Sequence, residues 1–257
     1  MPQRLTASVK IRRHFPAFAL FGAASAAFLF APSDAQAVMR GHAAGSISRH
    51  VVKLIGHNLL CTATVVGPQQ ALTANHCVEG AGPFFVIAGG RQIAVTDHTG
   101  SGQATLLTLA SPLPPSVQPI ATGDAPANAT LTIAGYGTAQ ESKNMHSAGL
   151  REAQLVADSR YGGLVDPQRH GPISASACMG DSGGPVARFD GKRYILVGIV
   201  ERVSNYQGIG ACGYLTHYST IGGIPTYAAA PANSRVASEP TAPRKPAKRI
   251  KQWAEMQ

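Results

Sequence analysis

The segment Cys178-Met179-Gly180-Asp181-Ser182-Gly183-Gly184-Pro185 sets one serine among glycines and ends on a proline. A serine hydroxyl is a poor nucleophile until a neighbouring base takes its proton. Glycines on both sides permit a tight turn that exposes the hydroxyl and aims backbone N–H groups at a developing oxyanion. Gly180 to Gly184 also fits the G-x-S-x-G elbow of a strand–turn–helix enzyme, with Glu201 and His217 following in the order that fold requires. Such an elbow needs a helix directly after the serine. Gly183-Gly184-Pro185 opposes one, and only 75 residues remain for the rest of that sheet. The elbow is set aside.

A base stands upstream, in Leu72-Thr73-Ala74-Asn75-His76-Cys77. A lone histidine beside a cysteine is usually structural; paired with the serine segment, His76 becomes a candidate proton acceptor.

Between Val38 and Ala229 the apolar runs are short and turn-bounded: Val51–Ile55, Thr62–Val66, Phe84–Ala88, Gln92–Thr96, Thr105–Leu109, Leu131–Ala134 and Tyr194–Val200. No long 3.6-residue period competes, so the class is all-β, barrel or sandwich. The Pro-rich stretch Ser111 to Asn128 divides the region into two β units, and no internal repeat is visible.

The chain has 257 residues and a formal charge of +9, with only 14% charged residues against ~25% for an average soluble domain. Wholesale disorder, collagen and a long coiled coil are excluded. The charge is concentrated at the two ends. Residues 1–37 carry +3, residues 38–229 carry +2, and residues 230–257 carry +4. A nearly neutral middle removes most of the case for nucleic acid.

Residues 1–37 read as an export signal: a basic start, the uncharged run Phe15 to Ala31, and the small-x-small site Ala35-Gln36-Ala37. The run is short for a membrane span. Arg12-Arg13 leaves twin-arginine export open beside the ordinary route. The expected location is secreted or periplasmic. The tail, residues 230–257, is basic and rich in Pro and Ala, and is expected to be disordered. It is either a solvated end or a loose contact with an anionic envelope or membrane surface.

Four cysteines, Cys61, Cys77, Cys178 and Cys212, fall two in each half. An even number in an exported chain implies disulfides, with three connectivities possible. Neither pair has C-x-x-C spacing, so no metal and no cofactor are expected.

Together these segments resemble the trypsin-like (chymotrypsin-fold) serine proteases, with ordered matches from Val38 to about Ile221. LTANHC resembles the family's LTAAHC, and Ala134-Gly135-Tyr136-Gly137 its AGWG. The resemblance implies two six-stranded antiparallel Greek-key β-barrels, about 38–115 and about 130–228, with the active site between them. It implies Ser182 as nucleophile, His76 as general base, and the Gly180 and Ser182 N–H groups as oxyanion hole. It pairs Cys61 with Cys77 and Cys178 with Cys212. Val38-Met39-Arg40-Gly41-His42-Ala43-Ala44 resembles the family's mature start IVGGxxA, whose new amino terminus pairs with the residue matching Asp181. Cleavage after Ala37 would create that terminus directly; a short propeptide cut later is the alternative. The expected protein is a monomer acting on proteins or peptides.

Two departures matter. The family's DIALLKL aligns with Gln103-Ala104-Thr105-Leu106-Leu107-Thr108-Leu109, putting Gln103 where the triad aspartate belongs. Losing that charge can cost ~10⁴-fold in turnover, the figure known for the analogous Asp-to-Asn change. Val197-Gly198-Ile199-Val200-Glu201 resembles VGIVS, which sets Glu201 beside the missing acid. A relocated triad of Ser182, His76 and Glu201 is one expectation; His76 oriented by the neutral Gln103 amide, or by Asp97 if its loop bends inward, is another; a degraded domain that only binds is the third. At the specificity pocket the resemblance puts Ser176 at the base, Val203 on one wall and Gly213 on the other. It implies a preference for small apolar residues before the scissile bond.

Overall fold

A computed structural model describes residues 38–56, 58–138, 149–160, 162–168, 174–205, 208–209 and 212–221. The export segment and the tail lie outside the described residues. No helix among those described is long and apolar enough to cross a membrane.

Fifteen strands are described, with two 3-10 turns, Ser46–His50 and Asn75–Cys77. In order they are β1 (His42–Ala43), β2 (Val51–Gly56), β3 (Leu59–Gly67), β4 (Gln70–Ala74), β5 (Phe85–Ala88), β6 (Arg91–Ser101), β7 (Ala104–Leu109) and β8 (Ala121–Thr122). They continue with β9 (Thr130–Gly135), β10 (Arg151–Asp158), β11 (Gly163–Val165), β12 (Pro185–Phe189), β13 (Tyr194–Asn205), β14 (Gly208–Ile209) and β15 (Leu215–Thr220).

Strands β2-β3-β4-β7-β6-β5 close a first barrel. Strands β9-β10-β11-β15-β13-β12 form the second, closed by the β12–β9 pairing. Both barrels are antiparallel, so the expected all-β architecture of two six-stranded barrels is what the chain adopts. Closure leaves no long unpaired edge in either barrel.

Each barrel holds its own apolar core, around Leu54, Val65 and Leu107 in the first and Leu131, Leu155 and Leu164 in the second. A third cluster joins them: Ile47, Val66 and Leu72 from the first half pack with Ile120, Leu196 and Ile199 from the second. The first residues cross over. β1 pairs with β10, and Met39 bridges Ser176, so residues 39–43 lie on the second barrel rather than opening the first.

Two local features position the site. The β4–β7 register sets Ala74 opposite Ala104, so the turn Asn75–Cys77 leaves β4 beside the tip of the β6–β7 hairpin. In β13 the register shifts between Val200 and Arg202, making Glu201 the extra residue of a bulge. Bulges of this kind re-aim side chains beside functional clefts.

Candidate active site

Between the barrels lies a cleft of about 200 Å³ whose lining includes His76, Gly180, Ser182, Glu201, Arg202 and Val203. Its apolar part comes from Leu59, Leu60, the Cys61 sulfur and Met179. Barrel one contributes His76 and barrel two contributes Ser182.

The Ser182 loop is bolted across the barrel boundary. The Thr62 N–H donates to the Ser182 carbonyl (2.9 Å), and its hydroxyl donates to the Gly180 carbonyl (2.8 Å). The Thr64 hydroxyl reaches the Gly183 carbonyl (2.9 Å). The N–H of Gly183 goes to Val200 (2.8 Å) and that of Gly184 to Asp181 (2.9 Å). Glycine is obligatory twice here. Gly180 has φ +95° and a Cβ there would come within 2.8 Å of Gly137 Cα; Gly183 has φ +85° and its Cβ would meet the Thr62 carbonyl at 2.2 Å. The N–H groups of Gly180 and Ser182 are donated to nothing among the described residues.

Behind the loop sits Asp181, fully buried. Burial raises its carboxyl to about 7, against the opposing pull of hydrogen bonds from the Cys178, Gly137 and Val38 N–H groups. Val38, also fully buried, donates its N–H to Asp181 Oδ2 at 3.2 Å. It does so at φ +53°, a conformation strained for a β-branched residue.

His76 is exposed, and its ring forms no hydrogen bond or ion pair among the described residues. The ring lies within 4.8 Å of the sulfurs of Cys61 and Cys77. Those sulfurs are joined in a disulfide, which offers no thiolate to a metal. The second disulfide links Cys178 and Cys212, so both implied pairings form.

The three carbonyl-bearing candidates for orienting His76 are placed differently. The Glu201 carboxylate accepts from Arg202 Nη1 (2.9 Å) and the Ser219 hydroxyl (2.9 Å). Its main-chain carbonyl accepts the Ser182 hydroxyl at 3.2 Å. Gln103 is exposed; its main-chain carbonyl accepts the Asn75 N–H (2.9 Å), and its amide has no partner among the described residues. Asp97 is exposed, accepts the His98 N–H (2.8 Å), and pairs opposite Thr108. That is four residues, ~13 Å of strand, from the Ser101–Ala104 end of the hairpin beside His76.

Ser176 is fully buried, its hydroxyl accepting the Gly213 N–H (2.8 Å) and donating to the Ala177 carbonyl (2.9 Å). Val203 is 7% exposed at the cleft wall. Among the described residues, neither Ser176 nor Gly213 lines the cleft, whereas Val203 does.

Two residues of the site carried no flag in the sequence. Thr62 escaped because its partners in the Ser182 loop lie more than a hundred residues away. Asn75 stood in plain view, as the single difference between LTANHC and the family's LTAAHC.

The two barrels with a serine and a histidine facing one cleft define the class: a double-barrel serine hydrolase fold. The trypsin family model matches residues 38–221, and the chain belongs to the trypsin family of serine proteases. A trypsin-like protease of Streptomyces glaucescens is 26% identical over 253 residues, covering 84% of this chain and 94% of its own. Serine protease SP24D of Anopheles gambiae is 30% identical over 196 residues, covering 64% of this chain and 70% of its own. The structure of neuropsin, a serine protease expressed in the limbic system of mouse brain, shares the fold with a TM-score of 0.55 at 20% identity. It matches 71% of this chain and 94% of its own.

Proposed function

We propose that the chain is an exported serine endopeptidase that cleaves peptide bonds through an acyl-enzyme. Ser182 attacks the scissile carbonyl, His76 takes the serine proton and returns it to the leaving amine, and the Gly180 and Ser182 N–H groups hold the oxyanion. The observation that carries this reading is the cleft itself: nucleophile and base from opposite barrels, beside two backbone donors with no competing partner. Glu201 is the only acid among the described residues lining it, and acts on His76 through its charge from the bulge in β13. Supporting the preference for small apolar residues, Val203 stands at the wall and Ser176 is tied to Gly213.

Maturation after Ala37 belongs to the same reading. Cutting that bond abolishes φ at Val38, relieving its strain, and turns a neutral N–H into an ammonium already 3.2 Å from Asp181. The basic tail, residues 230–257, is proposed to rest on an anionic envelope surface.

A second reading, a binding domain without turnover, is favoured by the unpartnered His76 ring and the Glu201 carboxylate turned to Arg202 and Ser219. Fluorophosphonate labelling decides. The protease labels at Ser182, loses labelling in Ser182→Ala and labels only at a slow residual rate in His76→Ala; a folded native chain that does not label is the binder.

A further inference from the structure

We infer that Asn75 is the positioning residue for His76, holding the base by the residue before it where the family's aspartate holds the ring. The inference rests on the reading of His76 as general base.

All three donor and acceptor groups that Asn75 turns toward the β6–β7 hairpin are used there. Its N–H donates to the Gln103 carbonyl (2.9 Å), its Nδ2 donates to the Gly102 carbonyl (3.3 Å), and its Oδ1 accepts the Thr105 hydroxyl. Its own carbonyl closes the turn by accepting the Val78 N–H at 3.1 Å. Thr105 is 1% exposed, so its hydroxyl is held on a rigid strand away from competing water.

The hairpin is shaped for this side chain. A Cβ at Gly100 would lie 2.9 Å from Asn75 Oδ1. Gly102 turns the tip at φ +63°, which presents its carbonyl to the amide. An alanine at position 75 would keep the two main-chain bonds and lose both side-chain ones. The turn would then meet the hairpin through a single hydrogen bond, at the site where the ring itself has no anchor.

Gln103 sharpens the argument. The position that should hold the acid sends its amide to solvent and offers only its main-chain oxygen, and that oxygen is spent on Asn75. Orientation is therefore delivered through the backbone of the turn rather than through a bond to the imidazole. Asn75 touches neither substrate nor Ser182; it acts through His76. Loss of such placement, ~1 Å at the reacting atoms, costs on the order of 10²-fold.

The test is the second-order rate of Ser182 labelling by a fluorophosphonate in the full chain. Asn75→Ala and Thr105→Val are expected to slow it about 10- to 100-fold, and Thr105→Ser, which keeps the hydroxyl, to label near the native rate. In a His76→Ala background neither change should slow the residual rate further, which a general loosening of the fold would do. Equal slowing in that background, or native-rate labelling of Asn75→Ala, overturns the inference. A native chain that never labels strikes the protease reading instead. The clamp is then judged from the nuclear magnetic resonance signals of the His76 ring: altered order in Asn75→Ala supports it, and unchanged order refutes it.

Discussion

The two halves of the cleft are built to different standards. The Ser182 loop is sealed by buried hydrogen bonds from Thr62 and Thr64, backed by Asp181 and pinned at Cys178 by a disulfide. In the other half His76 itself is exposed and its ring unanchored among the described residues; its turn is held by Asn75 and by Cys77, which is buried in the first core and bonded to Cys61. The half proposed to carry the nucleophile and oxyanion hole is tied at many points; in the half proposed to carry the base, the turn is anchored but the ring is not. Oxyanion stabilisation and binding alone leave catalysis well above the background rate when a triad is damaged. A chain that keeps the first half intact can therefore lose the triad acid and remain an enzyme.

The largest expected effect removes the better-built half. With Gln103 in place of a triad acid, Ser182→Ala should lower peptide hydrolysis by about 10²- to 10³-fold and abolish labelling, with the thermal midpoint unchanged. Activity surviving in Ser182→Ala would mean that the sealed loop is not the catalytic one.

Next comes the buried acid behind that loop. With a peptide bond before Val38, Asp181 has a folded-state value of about 7 against an ordinary 3.8, a raised value. Stability from that group is complete below about 4 and is lost as pH rises through 7, on the order of 4 kcal/mol in all. A free ammonium at Val38 opposes the effect of burial and removes the loss. Thermal midpoints at pH 4.5 and 7.5 should differ little for protein starting at Val38 and clearly for the same protein N-acetylated. Equal pH profiles would break the proposed link between the amino terminus and the loop.

The seam between the halves is tested at Thr62. Its hydroxyl donates to Gly180 and accepts the Tyr136 N–H (3.0 Å), both inside the fold. Thr62→Val keeps the shape and strands two polar groups, for about 2–4 kcal/mol of stability and a slower acylation. A smaller loss than about 1 kcal/mol would show that the loop stands without its staple.

Much of this was legible in the chain. GDSGGP and LTANHC are local patterns whose chemistry is carried by adjacent residues, and the strands built on Val, Ile and Leu announced themselves. Three of the strands that escaped notice have polar or broken surfaces. Arg151–Asp158 mixes charges through its alternation, Leu215–Thr220 is half hydroxylated, and Pro185–Phe189 begins on a proline directly after the serine loop. Closed-barrel pairing, not propensity, makes them strands. The bulge at Glu201, the crossing of β1 to the second barrel and the bond from Gly213 to Ser176 depend on contacts far apart in sequence. No local window contains them.

The smallest expected effect falls on the half whose ring is unanchored. An acid hydrogen-bonded to the imidazole is worth up to ~10⁴-fold, because it fixes the tautomer as well as supplying charge. The Glu201 carboxylate has both oxygens occupied, by Arg202 and Ser219, and Arg202 neutralises part of its field. What it can still provide is a share of the charge that stabilises the imidazolium across the cleft. Glu201→Gln should therefore slow labelling only about tenfold, near 1.4 kcal/mol. Arg202→Ala should move the rate the other way, by unmasking the same charge. A loss of 10³-fold or more in Glu201→Gln would mean that the carboxylate swings off Arg202 onto His76 during turnover, and that the base half is built as firmly as its partner. No change would leave the Asn75 clamp as the sole support of the base.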